Sequence, residues 1–434
     1  MYKKLLLVLS FFYLSAFAFS QGTVFQYARQ IVDTMASESM HGRGYVNDGD
    51  KIAANYLKTE FQKIGLKSFQ EGYYQKFTFP INTIPFVFSF NCTAFKRELI
   101  LGKDYIVTAS SGSSELRAPM SKVLLLDSAI YFNSKKLQSF LKKVSVYCFV
   151  AVDLKKVSDA EIIALFTNRK KDFRGLIFLK RTKLTHTCSQ KVDEFSSVQL
   201  LVPDSINIQQ AFKKSYADLH LTNRFIPNHQ SQNVIGFIPG AVYPDSFIVF
   251  SAHYDHLGQM GSKVYFPGAN DNASGCAMLL NLAKYYSLTE NKPKYSIVFI
   301  AFAGEEVGLL GSDYFTKNPL FPLTKIKFVF NMDIMGTGEE GITVVNGSVF
   351  KTEFEKLKQI NSDNKYIKDV KIRGKAANSD HYHFSERGVK AFFIYTMGGI
   401  KAYHDIYDRP ETLPLNEFEN LFKLITQFGS YLQN

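Results

Sequence analysis

The sequence predicts an α/β fold: a mostly parallel central sheet flanked by helices, with an inserted smaller β-rich lobe. Three observations carry this expectation. From residue 233 onward, apolar strand-like runs alternate with helix-spaced runs, the pattern of a sheet covered on both faces. Between residues 86 and 232 the texture shifts to short strand-like runs joined by Lys/Ser-rich connections. Small groups of acids and histidines recur in the last segment, after apolar runs or in Gly/Asn-rich turns. Open α/β sheets bind ligands outside the carboxyl ends of their strands.

The 434 residues are 46% hydrophobic and 21% charged, which supplies a core and argues against extensive disorder. The net charge of +12 is spread without a basic run, so nucleic acid is not an expected partner. At the start, Lys3 and Lys4 precede the apolar run Leu5 to Phe12 and the small-residue stretch Ser15 to Ser20. This is the pattern of a secretory signal peptide, cut after Ala18 or Ser20, and too short for a membrane span. No later run is long and apolar enough to cross a bilayer, so an exported protein without stable membrane insertion is expected, periplasmic or extracellular. The cysteines, Cys92, Cys148, Cys188 and Cys276, show no Cys-x-x-Cys spacing, and Cys276 reads as a buried thiol within a helix.

Taking the elements in order, Val24, Tyr27, Ile31 and Met35 recur at helical spacing. A second helix begins at Asp50, with Ala53, Tyr56, Leu57 and Ile64 on one side and Gly65 as its stop. His41-Gly42-Arg43-Gly44 lies between them as a loop. In the middle segment Val123 to Leu126, Val146 to Val150 and Gly175 to Leu179 read as strands. Later strands are expected at Asn233 to Pro239, Phe247 to Ala252, Ser296 to Phe302, Phe328 to Phe330 and Val389 to Tyr395. Helices are expected at Ser274 to Tyr286 and at the C-terminus, where Phe418, Leu421, Phe422, Ile425 and Phe428 share a face.

The chemistry lies in five groups. His253 and Asp255 are two apart at a strand end and project to one side, so His253 can bind a metal while Asp255 takes its other N–H. His256 is expected to point away. Asp271 sits in Asn270-Asp271-Asn272-Ala273-Ser274-Gly275, a rigid turn before a helix. Its neighbours Asn272 and Ser274 suit capping, whereas its carboxylate also suits a bridging ligand. Glu305 and Glu306 follow a buried strand, where adjacent carboxylates are costly unless something positive sits between them. They can diverge, one to a metal and one toward its water. Asp333 directly follows an apolar strand, and His404 lies in the Tyr403-His404-Asp405 loop. Each group alone has an ordinary explanation. Together they offer two imidazoles and three carboxylates as ligands, with two carboxylates to spare. Such a donor set suits two Zn²⁺, or Mn²⁺ or Co²⁺, sharing one bridging carboxylate and a hydroxide.

These groups, with Ser379-Asp380-His381, Phe384 and Tyr403-His404, resemble the di-zinc aminopeptidase family, metallopeptidase family twenty-eight. That family also holds glutamate carboxypeptidases and secreted glutaminyl cyclases. The likeness is dense from Asn233 to the C-terminus, and Gly42-Arg43-Gly44 and Ile64-Gly65-Leu66 extend it to the start. It implies a zinc exopeptidase-like fold with Asp271 as the bridging ligand. His253 and Asp333 then complete one metal, and Glu306 and His404 the other. Glu305 becomes the general base, Asp255 orients His253, and Tyr403 steadies the tetrahedral intermediate. Ser379-Asp380-His381 is expected to shape the rim or pack locally. The implied layout is a signal peptide (1–20), the first part of the catalytic domain (21–85), an insert resembling a protease-associated lobe (86–232) and the main catalytic domain (233–434). The expected function is aminopeptidase action on peptides. The alternatives are glutaminyl cyclase or glutamate-type carboxypeptidase action, and remotely a receptor-like binding role.

Overall fold

The computed structural model describes residues 24–114, 120–167 and 173–434. The expected signal peptide, residues 1–20, lies outside the described residues. Fifteen strands are described: β1 (Tyr74–Cys92), β2 (Tyr105–Val107), β3 (Ser121–Asp127), β4 (Cys148–Asp153), β5 (Gly175–Lys180), β6 (Ser196–Leu201), β7 (Tyr216–Ile238), β8 (Tyr243–His253), β9 (Gln259–Met260), β10 (Val264–Tyr265), β11 (Tyr295–Phe302), β12 (Ile326–Met332), β13 (Gly341–Val345), β14 (Val370–Ile372) and β15 (Ala391–Met397). All but the β9–β10 hairpin join one sheet, in the order β14-β13-β15-β12-β8-β11-β7-β3-β4-β5-β6-β2, with β1 paired to β7.

The expected parallel core is the run β15-β12-β8-β11, inside a sheet that is mixed overall. β7 runs antiparallel to β11, and β13 antiparallel to β15. The physical reason at β7 is the connection: residues 239–242 are too few for a crossover helix, so the chain reverses into β8. β8 from Phe247 and β11 from Ser296 are buried to their ends, which is why both read as unbroken apolar runs.

Helices cover this core. The helix Ser274–Ser287 is buried continuously from Ser274 to Ala283. The helix Phe418–Leu432 sets Phe428 against Phe330 and Phe392. A helix over residues 24–35 buries Ala28, Ile31, Val32 and Met35. The helix Gly49–Ile64 ends as its sequence predicts, with Gly65 at φ 85 and its N–H turned back to Gln62 O and Phe61 O.

The middle segment forms a lobe on β2 to β6. Its parallel strands β3 to β6 are interleaved with short helices, among them Ser134–Leu141 and Asp159–Thr167, so the expected β-rich lobe is itself α/β. Ile162 and Phe166 of one helix pack on Val150, Leu176 and Phe178. An antiparallel ribbon of β1 and β7, running from Tyr74↔Val234 to Cys92↔Ala217, joins lobe and core. The expected lobe edges at residues 86 and 232 both fall inside this ribbon. The four cysteines are free, and Cys276 is buried. Among the described residues no helix is long and apolar enough to cross a membrane.

Candidate metal centre

Three neighbouring parallel strands end on the same edge of the sheet. His253 is the last residue of β8, Asp333 follows β12, and Glu305 and Glu306 follow β11 by one turn. The Asn270–Gly275 turn is laced to the end of β12. Asn272 donates to Met332 O and accepts from Ile334 N and Gly275 N, while Ser274 donates to Asn270 O and accepts from Met335 N. The expected helix-capping role of Asn272 is met by the bond from Gly275 N.

All five expected ligands meet, and Asp271 sits between the two histidines. His253 Nε2 lies 3.4 Å from Asp271 Oδ1 and 3.4 Å from Asp333 Oδ1. His404 Nε2 lies 3.2 Å from Asp271 Oδ2 and 3.2 Å from Glu306 Oε2. Asp271 thus offers one oxygen to each side. Two donors on a tetrahedral ion with arms of about 2 Å stand about 3.3 Å apart. The observed spacings match that value and exceed an ordinary charged hydrogen bond of about 2.8 Å.

The proton inventory also fits a cation. His253 Nδ1 donates to the backbone oxygen of Asp255 at 3.1 Å, which leaves the Nε2 lone pair facing two carboxylates. Asp333 Oδ1 is buried without a hydrogen-bond partner. Burial opposes charge on both histidines, yet the carboxylates win. Asp333 and Glu305 hold His253 well above its ordinary pKa, and Glu306 with Asp271 pushes His404 up to about 11. The surrounding carboxylates thus favour positive charge on both imidazoles.

Glu305 is not part of either triad. Burial, together with the charges of Glu306, Asp333 and Asp380, lifts its carboxyl well above the usual range against the pull of His253. Tyr403 stacks on His404 with centroids 3.9 Å apart and rings 14° from parallel, and it keeps 44% of its surface exposed.

Asp255 differs from expectation. Its carboxylate stands 3.8 Å from His253 Nδ1, and the ring is held by the Asp255 backbone carbonyl instead. The carboxylate accepts the N–H groups of Glu305 at 3.1 Å and Glu306 at 3.3 Å and the Tyr45 hydroxyl at 3.0 Å. It therefore fixes the turn that carries both glutamates. Tyr45→Phe should destabilise the protein by about 1–2 kcal/mol, read as a lower urea midpoint at unchanged slope. An unchanged midpoint would show that the hydroxyl does not help hold Asp255.

The geometry can be set beside known proteins. The model of peptidase family M28 matches residues 233–429. Residues 233–429 belong to peptidase family M28. The chain is 38% identical over 113 residues to a probable zinc metalloprotease of Pyricularia oryzae, covering 25% of this chain and 22% of that protein. It is 29% identical over 195 residues to aminopeptidase YwaD of Bacillus subtilis, covering 42% of this chain and 40% of that protein. The matched stretches thus span less than half the length of these curated relatives. By structure, the chain is similar to BSAP, a zinc aminopeptidase from Bacillus subtilis. The TM-score is 0.69 at 18% identity, over 94% of each chain. A peptidase M28 precursor from Shewanella amazonensis SB2B gives a TM-score of 0.66 at 17% identity, over 96% of this chain and 97% of that one. At these identities the likeness is one of fold.

The M28 centre also uses residues that the sequence reading left out. His256, expected to point away, is buried with Nδ1 2.7 Å from Glu306 Oε1. His256, Asp271 and Glu306 can also be grouped as metal donors, but the hydrogen bond to Glu306 commits one His256 nitrogen. His404 Nε2 faces oxygens of both Asp271 and Glu306, whereas His256 bonds Glu306 through Nδ1 and keeps its buried Nε2 without a hydrogen-bond partner. Its chain placement explains the miss: β8 ends at His253, so strand alternation no longer applies at residue 256. Asp408 accepts the N–H groups of Asn270 and Asp271 at 2.8 and 2.9 Å.

Arg43 is fully buried. Its guanidinium donates to the backbone oxygens of Met35, Tyr254, Pro267, Gly268 and Asp271. Gly42 and Gly44 flank it because Gly258 passes so close that a Cβ at either would meet its backbone at 2.3 Å. Ser379-Asp380-His381 is buried rather than on the rim. Ser379 accepts from Asn331 Nδ2 and points at Asp333 Oδ2, and His381 packs near Phe393.

Proposed function

We propose that this chain is a zinc-dependent exopeptidase, an aminopeptidase that removes N-terminal residues from peptides. One observation carries the reading: two His/carboxylate triads share Asp271, while Glu305 adjoins them without belonging to either. His253, Asp271 and Asp333 would hold one ion and His404, Asp271 and Glu306 the other. When bound, zinc supplies Lewis-acid polarisation of the scissile carbonyl and makes water more acidic. The names of the curated relatives, a zinc metalloprotease and an aminopeptidase, support the same reading.

The chain's own residues divide the remaining work. Glu305 accepts the proton of the attacking water and returns it to the leaving amine nitrogen. Tyr403, whose hydroxyl pKa is raised by burial and by the nearby carboxylates, stays protonated and can donate to the developing oxyanion. A shared ligand set of five residues favours peptide hydrolysis over a one-ion cyclase. We also read the protein as exported, on the strength of residues 1–20. N-terminal sequencing of the mature protein should then begin at Phe19 or Gln21.

The purified protein should contain close to two zinc ions and release nitroaniline from aminoacyl-nitroanilides. A chelator should abolish that release, and zinc should restore it. Peptides with a blocked N-terminus should resist, and those with a blocked C-terminus should not. A folded protein that neither holds zinc nor cleaves any of these substrates refutes the reading.

A further inference from the structure

The lobe sends a strap, residues 183–190, across to the two loops that carry Glu306 and His404. At its start the Lys183 ammonium donates to Tyr403 O at 2.9 Å and stands 3.8 Å from Asp405 Oδ2. The His186 N–H donates to His404 O at 2.9 Å, and its ring stacks on Phe266 with centroids 4.7 Å apart. At its far end Gln190 Nε2 donates to Val307 O at 2.9 Å, one residue after Glu306. The strap is tied to the ribbon through the Asn82 N–H, which donates to Ser189 O at 2.8 Å.

These contacts fall on one side of the centre. His253 ends a core strand, and Cys276 of a core helix donates to its carbonyl. Asp333 N–H donates to Ile394 O of β15. The partners that hold this half, Cys276 and Ile394, therefore belong to a core helix and to the sheet. His404 lies in a loop that reaches the core only four residues later, where Asp408 accepts the Asn270 and Asp271 N–H groups. Residues 401–403 carry no helix or strand, and His404 itself sits at φ 55, which a non-glycine residue keeps only when its surroundings impose it. Two consecutive carbonyls, those of Tyr403 and His404, are held by the lobe.

We propose that the inserted lobe is a structural part of the Glu306/His404 half of the centre, with Lys183 as a positioning residue for His404 and Gln190 for Glu306. The proposal rests on the paired-metal reading above. Lys183 touches none of the ligand atoms; its ammonium bonds the Tyr403 carbonyl and stands 5.6 Å from the centroid of the Tyr403 ring, so it acts by holding the Tyr403–His404 segment and keeping the imidazole aimed. Losing such outer partners weakens metal binding about 10- to 100-fold.

The test uses the full-length protein, wild type beside Lys183→Met, Lys183→Arg and Gln190→Leu. Each is equilibrated at a series of buffered free-zinc concentrations and its zinc content measured, with the urea midpoint as a check that it is folded. Wild type should take up two ions. Lys183→Met should keep one ion at wild-type affinity and bind the other about 10-fold more weakly. Gln190→Leu should shift the same ion, and Lys183→Arg should recover most of the loss. If both ions weaken equally, or neither changes, the positioning role is wrong. A wild-type protein that holds fewer than two ions overturns the paired-site reading, and this inference with it.

Discussion

Glu305→Gln should keep wild-type zinc content and lose turnover by about a hundredfold to ten-thousandfold. The substitution keeps the size and hydrogen-bonding shape of the side chain but removes its ability to carry a proton. Glu305 is outside both triads, so no ligand is lost. Its backbone N–H remains tied to Asp255, and the turn carrying Glu306 should stay in place. The two readouts separate the possible roles. A loss of zinc would make Glu305 a ligand or a structural acid. Turnover near wild type with zinc retained would mean that some other group handles the proton, and Glu305 would lose its assignment as the base.

Arg43→Met should be the most damaging substitution for stability, costing at least about 4 kcal/mol, with loss of zinc at concentrations that saturate wild type. Arg43 is buried and supplies donors to five backbone carbonyls, two of them, Gly268 and Asp271, in the turn that presents the shared carboxylate. Methionine fills much of the volume and leaves those carbonyls without their donor. The expected cost is dominated by unsatisfied buried acceptors, whose penalties exceed the net value of the bonds themselves. Arg43→Lys should recover only part, because a single ammonium cannot replace a planar fork that donates in five directions. Urea unfolding and zinc content measured together decide the matter. An Arg43→Met protein within about 1 kcal/mol of wild type, with both ions bound, would show that the turn holds itself.

Much of the core was legible because it obeys local rules. β8, β11 and β12 announce themselves as apolar runs since both of their faces are covered, and the acids and histidines that break those runs stand at strand ends. The helix stop at Gly65 needed only the left-handed conformation that glycine adopts readily. Where the sequence reading fell short, the determining contacts were distant. The boundaries drawn at residues 86 and 232 fall within the β1–β7 ribbon, because composition changes gradually along a ribbon whose two strands pair across more than a hundred residues. The helices of the lobe went unread because they are short and have few buried positions to set a period.

The sequence by itself determined the chemistry available here: two histidines, three carboxylates and a spare glutamate, each placed beside a strand end or in a turn. Local rules of strand alternation and burial suffice for that, since they depend on near neighbours in the chain. Only the tertiary structure decided how those groups are held. It assigned the Asp255 carboxylate to the backbone of the glutamate turn rather than to His253, brought His256 in behind Glu306, and set Arg43 beneath the Asp271 turn. It also docked the His404 loop on the lobe. Each of these joins residues far apart in the chain. Buried donors and acceptors must find partners wherever the fold brings them, and sequence spacing carries no record of that choice.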